Sequence, residues 1–92
     1  MEENRVLLIE IAEGLNPISW RILEYLNKYE SSIFKDIKEN IEVGVNKASK
    51  ELARLEGATL IVSERDTIDT RSLNYRLTEN GIKILKYKNI RK

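Results

Sequence analysis

The chain has 92 residues, which is enough for one domain with one modest hydrophobic core. It contains no cysteine and no histidine, so disulfides, thiolate metal sites and the usual general base near neutral pH are excluded. No apolar run approaches the roughly 20 residues of a membrane span, so we expect a cytoplasmic protein that makes no membrane contact.

The net charge of the chain is only +1, but the charge is unevenly distributed. Residues 1–43 carry 5 Lys or Arg against 9 Asp or Glu, a net charge of −4. Residues 44–92 carry 11 against 6, a net charge of +5. This asymmetry suggests contact between the second half and a polyanion, although a split of this size also arises by chance.

The first 29 residues predict two helices. Residues 1–14 begin with acidic side chains, which favour a helix N-terminus, and their apolar residues cover more than one face. Asn16 and Pro17 form a typical helix start, with Asn as the N-cap and Pro at the first helical position. A second helix is therefore expected over residues 17–29.

Two further helices follow. Serines at 31–32 offer an N-cap for a short helix over residues 33–40, and residues 44–56 predict an amphipathic helix. The apolar face of this last helix has the three-and-four spacing of a buried helical stripe: Val45, Ala48, Leu52 and Leu55. At about 100° per residue, its polar side chains form a stripe about a quarter-turn wide: Asn46, Lys47, Lys50 and Arg54. Such a helix suits a DNA major groove, although most charged stripes are only solvated faces.

The remaining third of the chain predicts a β-hairpin and a helix. Residues 59–64 are rich in β-branched side chains and residues 73–78 alternate apolar with polar, so 59–78 form a hairpin with a long polar tip. Thr78 is a suitable N-cap for a last helix over residues 79–89, which ends in a basic segment. The helices at 33–40 and 44–56 together have the pattern of a helix-turn-helix.

Residues 16–85 resemble winged helix-turn-helix regulators of the ArsR and MarR type, especially small archaeal ones. Residues 49–56 are similar to the recognition helix of that superfamily, and residues 60–61 to its entry into the wing. Residues 73–85, with the string Tyr-Arg-Leu-Thr-Glu-Asn-Gly, are similar to its returning strand and following helix. Two features depart from the pattern: Thr59 stands where the family usually has glycine, and the metal-binding cysteines and histidines of ArsR sensors are missing.

The resemblance implies one α+β domain over residues 1–92, mostly α, with a two-stranded wing and flanking N- and C-terminal helices. It also implies a recognition helix in the major groove. Asn46, Lys47 and Lys50 would approach base edges, with Asn suited to adenine and Lys to guanine. Ser49 and Arg54 would contact phosphates.

The wing carries two further candidate DNA contacts. Arg65 and Arg71 flank its tip and would bind the minor groove or the DNA backbone. The alternative is that these are loop charges neutralised by Asp66 and Asp69.

Operator binding by such small domains usually needs two recognition helices about 34 Å apart, so we expect a homodimer. The first and last helices hold more apolar residues than one small core takes up, and they predict this dimer surface: Val6, Leu7, Ile9, Ile84, Tyr87 and Ile90.

The function expected from these observations is sequence-specific binding of double-stranded DNA by a transcription regulator. Two alternatives stay open: a winged helix used as a protein-interaction module, which the small net charge favours, and a non-specific, chromatin-type DNA binder. An enzyme, a metal site and a cofactor are not expected, because no nucleophile–base pair or ligand cluster occurs in the sequence.

Overall fold

A computed structural model describes the backbone of residues 2–65 and 73–91 and the side chains of residues 8–65 and 73–88. The elements in chain order are α1 (Glu2–Gly14), α2 (Pro17–Tyr29), β1 (Ser31–Ile33), α3 (Phe34–Ile41), α4 (Val45–Gly57), β2 (Ile61–Arg65), β3 (Leu73–Leu77) and α5 (Glu79–Arg91). Within the described part of the chain, no helix has the length and apolar character that crossing a lipid bilayer requires.

The start of α2 has the capping geometry that its sequence predicts. Asn16 has an extended backbone, its side-chain oxygen accepts a hydrogen bond from the Ser19 amide at 2.9 Å, and Pro17 occupies the first turn. This cap satisfies one of the free N–H groups at the helix start.

Among the residues that the structure describes, the sheet has three strands, one more than the two expected for the wing. Its order is β1-β3-β2, and both pairings are antiparallel. Ser32 lies opposite Tyr75, and Ser63 also lies opposite Tyr75 on the other side of β3. The prediction that the serines at 31–32 provide the N-cap of the next helix was wrong. They pair with a strand more than 40 positions away, and Ile33 is the N-cap of α3, without a side-chain hydrogen bond.

The turn from α4 into β2 depends on a residue with a left-handed backbone. Thr59 has φ = 66°, a conformation that glycine adopts more easily than any residue with a side chain. The Leu60 amide donates to the carbonyl of Leu55 at 3.0 Å, which closes the C-terminus of α4. The chain therefore makes the turn that the glycine of the regulator pattern would make, with threonine in its place.

The start of α5 packs tightly against this turn. The Thr78 hydroxyl accepts a hydrogen bond from the Gly81 amide at 3.1 Å, which confirms Thr78 as the N-cap. A Cβ atom at Gly81 would overlap the Leu60 carbonyl oxygen, so only glycine fits at this position. The glycine in the Tyr-Arg-Leu-Thr-Glu-Asn-Gly string thus allows the close approach of α5 to the β2 entrance.

The hydrophobic core lies between the helices and one face of the sheet. Twelve of its buried residues form one cluster: Ala12, Ile22, Leu23, Leu26, Ile37, Ile41, Leu52, Leu55, Leu60, Ile61, Ile84 and Leu85. The cluster draws on all five helices and on β2, so the orientation of each helix depends on the packing of the others.

One residue expected at the dimer surface belongs to this core instead. Ile84 is fully buried within the chain itself, so its assignment to a dimer surface was wrong. Ile9 and Tyr87 are partly buried, and Tyr87 packs against the core. The side chains of Val6, Leu7 and Ile90 lie outside the described residues.

Candidate nucleic-acid interface

Helix α4 is held against the body of the protein by three residues on its inner side. Ala48, Leu52 and Leu55 are buried, and α4 contacts α2, α3 and β2. The small Ala48 side chain lets the helix lie close to its neighbours. This packing determines which side of α4 faces solvent.

The polar side chains of α4 lie on the solvent side. Exposed side chains of this kind are Asn46, Lys47, Ser49, Lys50 and Arg54. No described part of the protein covers them, so a duplex has access to this face of the helix. Their contact with DNA stays a prediction.

Val45 is also exposed, which the sequence analysis did not predict. It was expected on the apolar face with Ala48, Leu52 and Leu55, but 55% of its surface is accessible to solvent. Val45 is the first residue of α4, three positions before Ala48, the first buried residue of the helix. The N-terminus of α4 therefore extends beyond the core.

Glu51 is the most unusual residue of α4, because its carboxylate is buried. Only 1% of the residue is exposed. Its Oε2 accepts a hydrogen bond from Ser19 Oγ at 2.8 Å, and its Oε1 accepts one from Asn16 Nδ2 at 3.1 Å. Arg54 Nη1 lies 3.5 Å and Lys47 Nζ lies 3.9 Å from the same Oε1. These five residues, which we call the Glu51 cluster, join α4 to the N-terminus of α2.

The contacts of the Glu51 cluster stabilise the ionised carboxylate. Burial alone would raise the pKa of the Glu51 carboxyl, but the hydrogen bonds from Ser19 and Asn16 and the charges of Arg54 and Lys47 outweigh it. Together they hold the pKa below its ordinary value of 4.5. Glu51 is therefore negatively charged at neutral pH, and its charge is compensated within the protein.

The three cations of α4 consequently differ in their surroundings. Lys47 and Arg54 both lie beside Glu51, and Arg54 Nη2 also donates to the Gly14 carbonyl at the end of α1, at 3.4 Å. The side-chain ammonium group of Lys50 makes no hydrogen bond or ion pair with any residue that the structure describes.

The β2–β3 hairpin brings further charge to the surface. Arg76 on β3 forms an ion pair with Glu64 on β2, at 2.7 Å between Arg76 Nη2 and Glu64 Oε1. Arg65, at the end of β2, is exposed. Arg71 and the two aspartates expected to neutralise these arginines, Asp66 and Asp69, lie outside the described residues.

No family model matches the chain, and no curated protein sequence matches it. Solved structures do. ZitR of Lactococcus lactis, a zinc-responsive MarR family member, is 32% identical over 79% of this chain and 50% of its own length, with a TM-score of 0.72. A mutant of S. aureus MepR bound to an oligodeoxyribonucleotide is 25% identical over 92% of this chain and 62% of its own, with a TM-score of 0.78. A mutant MarR from E. coli complexed with operator DNA is 17% identical over 94% of this chain and 63% of its own, with a TM-score of 0.77.

The chain has the winged-helix fold of MarR-type regulators. The expected fold and the resemblance to these regulators are thus confirmed, while the archaeal type stays a prediction. The chain spans 63% or less of the length of each of the three structures. Zinc sites in proteins are usually built from cysteine and histidine, and this chain contains neither residue.

In this winged helix, α3 and α4 form the helix-turn-helix, with α4 as its second helix, and β2 and β3 are the strands of the wing. The sequence analysis missed Glu51, although its position contained a signal. Glu51 lies three residues after Ala48 and four before Leu55, which places it at the edge of the apolar face. Asn16 provides a second indication. Its side-chain oxygen caps α2, so its NH₂ group remains available to donate to an acceptor such as Glu51.

Proposed function

We propose that the chain is a sequence-specific double-stranded DNA-binding transcription regulator. In this proposal α4 lies in the major groove, and the wing contacts the backbone or the minor groove. The observation that carries the proposal is the exposed polar face of α4, which is held outward by the buried side chains of Ala48, Leu52 and Leu55. Two solved structures of the same fold, those of the mutant MarR and of the mutant MepR, are complexes with DNA, which supports the proposal.

The chemistry of α4 suits the edges of base pairs. Asn46 lies in the first turn, and the N-terminal residues of a recognition helix are those that approach bases. Its amide can both donate to and accept from adenine, and Lys50, one turn further, can donate to guanine. Ser49 and Arg54 are suited to phosphate contacts, and Lys47 to either.

The wing would add contacts outside the major groove. Arg65 is the last residue of β2 and is exposed. A guanidinium at this place can pair with a phosphate or enter the narrow minor groove. Arg71 is proposed for the same role from its position in the sequence.

We further propose that the regulator acts as a homodimer. Helices α1 and α5 contact each other, so the two chain ends form one side of the molecule. Two copies joined there would present two recognition helices, which a pair of half-sites about 34 Å apart requires. Sedimentation at tens of micromolar tests this, and a monomer at that concentration would refute it.

The main experiment measures DNA binding and its salt dependence. Fluorescence anisotropy with a duplex selected from a random pool should show binding that weakens steeply with KCl, because each neutralised phosphate releases counterions. The double variant Lys50→Glu with Arg54→Glu should weaken binding by about 100-fold or more, since two attractive contacts become repulsive. The matched control is Lys83→Glu with Lys86→Glu, two reversals on α5. Sedimentation checks that this control is still a dimer, and the dimeric control should bind almost as the unaltered protein does.

Each other outcome points to a different function. Equal binding of the selected duplex and of random competitor would indicate a non-specific DNA binder. Absence of binding, or binding unchanged by salt and by the α4 double variant, would contradict the proposal and favour a protein-interaction module.

A further inference from the structure

The starting point is the exposure of Val45. Of the aliphatic residues on α4, Ala48, Leu52 and Leu55 are buried, whereas Val45 presents 55% of its surface to solvent. It makes no contribution to the core cluster. Its two methyl groups are therefore available to a ligand that approaches the N-terminus of the helix.

The neighbours of Val45 on the surface of α4 are uncharged. Ser49 and Ala53 follow it at four-residue intervals, and both are exposed, so the three lie along one edge of the helix. At about 100° per residue, Lys47 and Arg54 fall on the opposite edge, beside Glu51. The exposed face of α4 thus has a cationic edge and an uncharged edge, with Asn46 and Lys50 between them.

We propose that Val45 is a specificity-determining residue that packs against the C5-methyl group of a thymine in the major groove. The inference rests on the proposed function and deepens it. Thymine is the only standard base that presents a methyl group there, and an apolar side chain gains by contact with it. Val45 occupies the first turn of α4, the part of a recognition helix that comes closest to base edges.

The residue next to Val45 strengthens the assignment. Asn46 is suited to adenine, so the first two residues of α4 both favour A·T pairs. A lysine or arginine at position 45 would favour guanine or phosphate instead. The preferred site should therefore contain an A·T step that meets the start of α4, while Lys50 contacts the pairs further along.

The experiment removes one methyl group from the DNA and one apolar side chain from the protein. A preferred site is first selected from random duplexes with the unaltered protein, and each thymine in it is then replaced singly by deoxyuridine. Affinities are measured for the unaltered protein, for Val45→Ala, and for Ile82→Ala as the control. Ile82 is also an exposed aliphatic residue, at 42%, but it lies on α5.

The expected result is one thymine in each half-site whose replacement weakens binding by about three- to fivefold, the effect of burying one methyl group. The loss should be the same with Ile82→Ala and should disappear with Val45→Ala. The inference is overturned if no thymine is sensitive, or if the sensitivity persists in Val45→Ala. Failure to select any preferred site would overturn the proposed function itself, and this inference with it.

Discussion

The cationic edge of α4 and the middle of its exposed face differ in how far their charges are compensated within the protein. Lys47 and Arg54 lie beside the buried carboxylate of Glu51, so part of their charge is already compensated within the protein. Lys50 has no such partner among the described residues. A phosphate competes with Glu51 for the first two cations, but only with water for Lys50. The number of cations on a surface therefore overstates what is available to a polyanion.

The largest expected effect concerns stability and comes from removing Glu51. Glu51→Ala should lower the free energy of unfolding by about 3 kcal/mol, because the Asn16 amide and the Ser19 hydroxyl then lose a buried acceptor. Urea unfolding measures the change. The matched control is Glu56→Ala on the same helix, where an exposed carboxylate accepts from Ser63 and the loss should be about 0.5 kcal/mol. Equal losses for the two variants would show that the Glu51 cluster does not anchor α4.

A smaller effect should distinguish the two classes of cation. Lys50→Ala should weaken DNA binding by about fivefold and reduce the slope of log affinity against log salt by about 1. Lys47→Ala should weaken DNA binding by only about twofold, because in the unaltered protein Glu51 already compensates part of the Lys47 charge and so reduces its attraction to phosphate. Anisotropy titrations at several KCl concentrations measure both. Equal losses for the two lysines would mean that the ion pair with Glu51 does not reduce the affinity of Lys47 for phosphate.

The smallest effect is a dependence of stability on pH. Because the pKa of Glu51 is lower in the folded protein, its ionisation stabilises the fold above about pH 4.5, and this contribution is lost as the pH falls below that value. The melting temperature of the unaltered protein should therefore fall more steeply between pH 5 and about pH 3 than that of Glu51→Gln, which cannot ionise. Parallel curves would show that Glu51 has an ordinary pKa in the folded state.

The helices could be predicted well because their signals are local. Asn16, Pro17 and Thr78 act through hydrogen bonds and backbone angles within one turn, so the starts of α2 and α5 follow from a few neighbouring residues. The inner residues Ala48, Leu52 and Leu55 follow from helical periodicity in the same way.

The errors came from features that depend on distant partners. β1 forms because it pairs with β3, which lies more than 40 residues away in the chain, and the local sequence Ser31–Ile33 does not predict that pairing. Positive φ angles occur at Glu30, Glu42 and Thr59, whereas none of the four glycines has one. Tertiary packing holds these residues in a conformation that their own side chains disfavour.

In the candidate site, too, some features follow from the local sequence and others depend on residues that are distant in the chain. The sequence by itself determined that α4 is amphipathic and that its outer side carries Asn46, Lys50 and their neighbours, because periodicity depends only on residue order. Only the tertiary structure decided which cations are compensated and which apolar residue is exposed. Glu51 finds its partners on α2, more than 30 positions away, and Val45 lies beyond the edge of the core. Burial and charge compensation are properties of neighbours in space, so residue order alone does not specify them.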